Sequence, residues 1–250
     1  MKKPLLLLIP FILLAFASCK KLSVSSAANV SIEDAANIIG SSLASNSSGL
    51  TTIQSDVALS SQALFSKASG CGIPKIDSIS HQSPPAAETT YGYKEKITNK
   101  LNCNTNNLPD NVTSSLTYAG YFNGPKMFVT NSGSTNFTVA GLTPTATVYA
   151  INGTYKSTGN FKLKADTTKN GTVNIDIVIK NLIIKKATAT TPAGITGGTA
   201  TATISGSTPK KGSFSFTGAL TFNGSSLAIL TLNSTVYFVN LITGTVVKQQ

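Results

Sequence analysis

From Val112 to the C-terminus the chain reads as strand after strand, with no stretch at helical spacing. Thr, Val, Ile, Phe and Tyr dominate it, and Asn-Gly or Gly-Ser pairs recur at short intervals, a pattern that favours hairpins. Connections this short join antiparallel neighbours, because parallel strands need a crossover of a dozen residues or more. A βαβ sheet is therefore excluded. The expected core is a bent antiparallel β-meander of about ten strands over residues 112–250.

The clearest hairpin runs from Phe161 to Ala165, turns at Lys169-Asn170-Gly171 and returns through Val173, Ile175, Ile177 and Ile179. On the return strand Asn174, Asp176 and Lys180 face the other way, as period-2 alternation requires. The parity then slips, with Leu182 and Ile184 on the opposite phase, which predicts a bulge near Lys180-Asn181. A second hairpin sets Phe214, Phe216, Leu220 and Phe222 against Leu227 to Leu232 around Asn223-Gly224. A last strand spans Val236 to Leu241, with Val246-Val247 closing the chain.

Residues 30–70 carry a different period. Ser31 stands as a helix cap with Asp34 three residues on, where a capping-box acid belongs. Ile32, Ala35, Ala36, Ile39 and Leu43 then form one apolar stripe. A second stripe follows through Leu50, Ile53, Val57, Leu64 and Ala68, ending at Gly70 and Gly72. The two predict a helical pair packed on the sheet, which makes the fold class mainly β (α+β), with residues 30–250 as one domain. Residues 71–111, punctuated by Pro74, Pro84 and Pro85, read as a connector in which Tyr91 to Leu101 begins the first strand. At fold level alone this plan resembles periplasmic lipoprotein carriers built as a half-barrel with a helical lid. That resemblance implies a lipid or other apolar ligand, with Phe128, Phe137, Tyr149 and Phe161 as candidate lining residues. The competing reading is a surface module for glycan or protein, with Tyr118, Tyr121 and Phe122 around Gly120 as its contact residues.

The first nineteen residues address the chain. Lys2-Lys3, an apolar run from Leu5 to Leu14 and Phe16-Ala17-Ser18-Cys19 make a secretory signal, too short to span a bilayer that takes roughly 20 apolar residues. Small residues leading to cysteine resemble the lipobox of bacterial lipoproteins, although Phe16 stands where that family prefers Leu. The resemblance implies removal of residues 1–18, a diacylglycerol on Cys19 and an acyl chain on its new amine. Two or three acyl chains hold a protein on a membrane, where one binds weakly. Lys20, in place of the aspartate that retains such proteins at the inner membrane, implies the outer membrane, on its periplasmic or its cell-surface face. Residues 19–29 form a short tether whose ten flexible residues after Cys19 span about 18 Å.

Composition narrows the chemistry. Removing Lys2 and Lys3 leaves eighteen lysines against nine carboxylates, a side-chain charge of +9, and the chain has no Arg. Such a balance suits an acidic surface. The lysines are scattered, and no guanidinium fork is present to clasp phosphate or guanine, so nucleic acid is not expected as a partner. The expected partners are the membrane, through the anchor, and an acidic surface, an apolar ligand or an envelope protein. With Cys19 acylated, Cys71 and Cys103 remain as an even pair in an oxidising compartment. A bridge between them closes a loop of thirty-three residues, worth roughly 3–4 kcal/mol in chain entropy. Free thiols or metal ligands are the alternatives. His81, the single histidine, falls in a Pro-Ser loop, and no pair of carboxylates is placed together by pattern. No phosphate loop, zinc motif or dinucleotide fingerprint occurs. The chain thus reads as a non-enzymatic binding or scaffolding protein without cofactor. Cells fed labelled fatty acid are expected to yield a labelled, membrane-bound product from the native chain and none from Cys19→Ala.

Overall fold

The computed structural model describes residues 30–47, 49–66, 70–190, 193–209, 212–224 and 226–250. The signal segment, Cys19 and the tether with Lys20 and Lys21 lie outside the described residues, as does Ala68 of the second apolar stripe. Two helices, α1 (Ile32–Leu43) and α2 (Leu50–Ser66), are joined through a 3-10 turn at Ser45–Ser47. Eleven strands follow: β1 (Pro74–Gln82), β2 (Thr90–Cys103), β3 (Pro109–Asn123), β4 (Met127–Ala140), β5 (Val148–Leu163), β6 (Asn170–Lys185), β7 (Gly194–Thr208), β8 (Gly212–Phe222), β9 (Leu227–Leu232), β10 (Thr235–Asn240) and β11 (Val246–Lys248). They form one antiparallel sheet in sequence order, so the meander is found as expected, with one strand more.

The added strand is β1. It corrects the reading of residues 71–111 as a connector, because Pro74–Gln82 pairs with β2 along its whole length, from Pro74 opposite Lys100 to Gln82 opposite Gly92. The sheet therefore starts at Pro74 rather than at Tyr91. As an edge strand β1 buries little, and Ile76 points outward while Ile79 points toward the core. The Cys71–Cys103 disulfide closes the open end of this hairpin, with Cα atoms 5.8 Å apart.

The slip of parity in β6 is a bulge. Register shifts between Lys180 and Ile183 on one side of the strand, and between Ile151 and Gly153 of β5 on the other. Asn181 takes φ 49°, and its N–H donates to Asn152 Oδ1 at 2.7 Å. The extra residue returns Leu182 and Ile184 to the buried face beside Ile177 and Ile179.

α1 begins with the expected capping box: the Asp34 N–H donates to Ser31 Oγ, and the Ser31 N–H donates to Asp34 Oδ2, each at 3.0 Å. Every residue from Ala35 to Leu43 is buried. A flat sheet covers one side of a helix only. Here α1 lies against β7, β9, β10 and β11 while α2 lies against β2 to β5, so the sheet curls around the pair. One continuous core results, with Ile38, Ile39 and Leu43 of α1 and Ile53 and Leu64 of α2 filling the concavity.

Polar contacts tie the rims. Lys169 in the β5–β6 turn pairs with Asp34 at 2.8 Å, Lys126 donates to Asn37, and Lys186 donates to Gln62, whose own amide donates to the Leu142 carbonyl. The backbone N–H groups of Ser45 and Asn46 donate to the carbonyls of Leu241 and Ile242. α1 approaches β11 most closely at Gly40, where a Cβ would lie 2.6 Å from Val246 Cγ2 and 2.7 Å from the Gly244 carbonyl oxygen. Gly40→Ala should therefore lower stability by about 1–3 kcal/mol despite its better helix propensity. Urea melts will measure the loss, and hydrogen exchange should show faster opening confined to Val246–Lys248 and its partners on β10.

Candidate functional site

β2 directs its odd-numbered side chains inward, and the rows continue across the sheet by register. Tyr93 lies opposite Gly120 and Gly120 opposite Asn131; Glu95 opposite Tyr118 and Tyr118 opposite Gly133; Asn99 opposite Ser114. The tyrosine rings lie over the glycines of the next strand, where a Cβ would meet Tyr93 Cδ1 at 2.4 Å over Gly120 and the Tyr118 hydroxyl at 2.6 Å over Gly133. Large side chains covering bare backbone keep this part of the sheet packed while bringing several polar groups under α2.

β1 adds the histidine. His81 faces Tyr93 in register and Ile79 faces Glu95, so His81 stands diagonal to Glu95 on the inner side. From α2, Asp56 reaches down beside Ile53 and Val57, and its Oδ2 lies 2.7 Å from His81 Nε2. One donor atom from each of Asp56, His81 and Glu95 falls within 4.8 Å of the others. The expectation that His81 sits in a Pro-Ser loop is thereby corrected: it is the penultimate residue of an edge strand, held under a helix.

The electrostatics follow from burial. Glu95 is 3% exposed, and neither of its carboxylate oxygens has a hydrogen-bond partner. Loss of hydration pushes its carboxyl up to about 7, the Asp56 charge pushes the same way, and His81 opposes both. Burial also raises Asp56, against the favourable contact with His81. Behind Glu95 the stacked rings of Tyr118 and Tyr155, 5.7 Å between centroids, and the tilted ring of Tyr93 have their hydroxyls raised by burial and stay protonated. The polar seam runs on between α2 and β2 to β4. Both side-chain polar atoms of Gln54, and the hydroxyls of Ser61, Ser114 and Thr135, are buried without a partner, whereas Asn99 donates to Ser60 at 2.9 Å. Chemically the cluster is one nitrogen and two carboxylate donors around a common point, able to share a proton or to hold a cation. Of a nucleophilic triad only the acid–imidazole half is present among the described residues: His81 is bonded to Asp56, and no hydroxyl or thiol is bonded to its ring.

The residues singled out for an apolar cavity divide. Phe137, Tyr149 and Phe161 are core, and Phe128 faces outward. Of the surface candidates, Tyr118 and Phe122 are buried, while Tyr121 is 38% exposed and stacks on Phe128, itself 37% exposed, at 6.5 Å. Comparison of the chain with protein-family models, curated proteins and solved structures finds no match, so the site rests on its own geometry.

Because the folded protein holds the Glu95 proton more tightly than the unfolded chain, Glu95 contributes stability that is complete below about pH 4.5 and is lost as pH rises through about 7. Wild-type protein should thus be less stable at pH 8 than at pH 5, and Glu95→Gln should flatten that slope and raise Tm at pH 8. The Glu95 share is on the order of 3 kcal/mol, to be read from denaturant melts across pH.

Proposed function

We propose that this chain is an exported lipoprotein, anchored through Cys19 at the outer membrane, whose β-rich domain is a non-enzymatic binding module for an acidic glycan of the cell envelope. The observation that carries the reading is the outer face of β2 to β6. Its rows run Lys96, Thr117, Ser134, Lys156, Asp176 and Lys94, Ala119, Ser132, Thr158, Asn174. Lys94, Lys96, Lys100, Lys162 and Lys180 stand exposed there, and Lys156 pairs with Asp176. Hydroxyl and amide groups offer hydrogen bonds to sugar, and the lysines between which they stand offer charge to a carboxylate or sulfate. A shallow groove of about 350 Å³ runs between Lys96, Thr98, Ser115, Thr117, Ser134 and Asn136. Further along the same face the Tyr121–Phe128 stack, with Phe128 opposite Lys162 in register, gives an apolar platform for a sugar ring.

The filled concavity supports this reading over a carrier with a preformed interior, and the Cys71–Cys103 bridge supports an oxidising compartment. The carrier alternative draws on a recess of about 650 Å³ where Ser45, Thr51 and Ser55 face Ile195, Thr196 and Ile242, a volume within the range of ligand pockets.

The acylated protein in detergent should be retained on an immobilised uronate or sulfated polysaccharide in a salt-dependent manner. Tyr121→Ala combined with Phe128→Ala should weaken retention about tenfold with Tm unchanged, as both rings are partly solvated. Undiminished retention in that variant would remove the Tyr121–Phe128 platform from the assignment, and saturable binding of a fluorescent fatty acid without retention on polysaccharide would turn it toward the carrier.

A further inference from the structure

We infer that Asp56, His81 and Glu95 form a binding site for one divalent transition-metal ion, Zn²⁺ foremost, between α2 and the β1–β2 edge of the sheet. The three side chains come from three separate elements, yet their donor atoms lie within 4.8 Å of one another. A tetrahedral Zn²⁺ with bonds of about 2.0–2.1 Å needs donors about 3.3 Å apart, so the site closes around the ion by movements of an ångström or so at the ends of flexible side chains. Nε2 of His81 and Oδ2 of Asp56, now 2.7 Å apart, open slightly, and Glu95 swings in from beneath.

Glu95 supplies the independent sign of a ligand. It is 3% exposed, has no hydrogen-bond donor on either oxygen, and points to where Asp56 and His81 already meet. A buried carboxylate is tolerated when it is paired or coordinates a metal. Two carboxylates and a neutral imidazole carry a charge of −2, which one divalent cation cancels. The donor set also selects the ion. An imidazole nitrogen with two carboxylates suits Zn²⁺ and its first-row neighbours, whereas Ca²⁺ takes six to eight oxygens and Mg²⁺ an octahedron of oxygens. The site has a way in, since the side chains of His81 and Asp56 are 27% and 15% exposed while Glu95 forms its floor. Cys71 and Cys103 are bonded to each other, so among the described residues no thiolate competes for the ion.

An ion held here would clamp α2 to the edge strand β1. The reading is independent of the lipid anchor and of the outer face of the sheet. Its test is equilibrium dialysis of the full-length acylated protein in detergent, stripped with EDTA, against micromolar Zn²⁺, with metal counted by plasma mass spectrometry. One Zn²⁺ per chain is expected, with affinity reduced about a hundredfold in Glu95→Gln and in His81→Ala. Glu95→Gln removes a buried charge and keeps the shape, so its fold, checked by circular dichroism, is expected to survive. The chain has one histidine, so the imidazole ¹⁵N signals report on His81 alone and should shift on saturation. Absence of uptake, uptake unchanged in both variants, or imidazole signals that stay still on saturation would each overturn the assignment.

Discussion

The fold depends on the burial of α1. Eleven strands in a row present eleven sets of inward side chains, and a meander with two free edges cannot cover them by closing on itself. α1 packs against β7 and β9 to β11 and is buried from Ala35 to Leu43, while α2 covers β2 to β5. Gly40 sets how near α1 comes to the last strand. The rim contacts of Asp34 and Asn37 on α1, and of Gln62 on α2, fix the two helices on the sheet without placing charge in the core.

The two halves of the concavity differ in chemistry. Beside α1 the lining is mostly aliphatic, with Tyr237 of β10 among it. Beside α2 it holds Glu95, Asn99, Ser114, Thr135 and three tyrosines, with Gln54 and Ser61 above them. Leaving a buried polar atom without a partner costs about 1–3 kcal/mol, and a row of them is dear for a domain whose net stability is of order 10 kcal/mol. Stability alone does not explain such a row, and local breaches of good packing cluster where proteins function. The Asp56–His81–Glu95 constellation sits at the open end of this seam, where a mostly buried pair meets a buried carboxylate.

Much of the architecture was legible in the residues because it rests on local chemistry. The Ser31–Asp34 capping box, the Asn223-Gly224 turn and the parity slip at Lys180-Asn181 each declare themselves within a few positions, whereas Asn170-Gly171 opens β6 and the turn before it falls at Thr167-Thr168. β1 was hidden because an edge strand needs no alternation: Ile76 and Ile79 fall on opposite faces, and prolines flank it on both sides. With β1 hidden, His81 looked like a loop residue. Asp56 belongs to a predicted helix and Glu95 to a predicted strand, and no local pattern places the two carboxylates together. The register of β1 on β2 together with the packing of α2 over β2 brings the three together. The aromatic residues divided for a similar reason. Type identified Phe and Tyr as candidates, but facing decides which are core, and the facing of Tyr118 against Tyr121 follows from strand phase.

The tie between Ser45-Asn46 and Leu241-Ile242 spans almost the whole chain, while nearly every other pairing joins neighbours along it. A ribosome delivers α1 first and its cover last. Hairpins can zip one after another as they emerge, yet the central helix has nowhere to hide until the final dozen residues arrive. Through most of biogenesis the nascent molecule therefore carries a greasy rod in an unfinished trough, the kind of surface that chaperones shield, and the closing step is the capture of the beginning by the end.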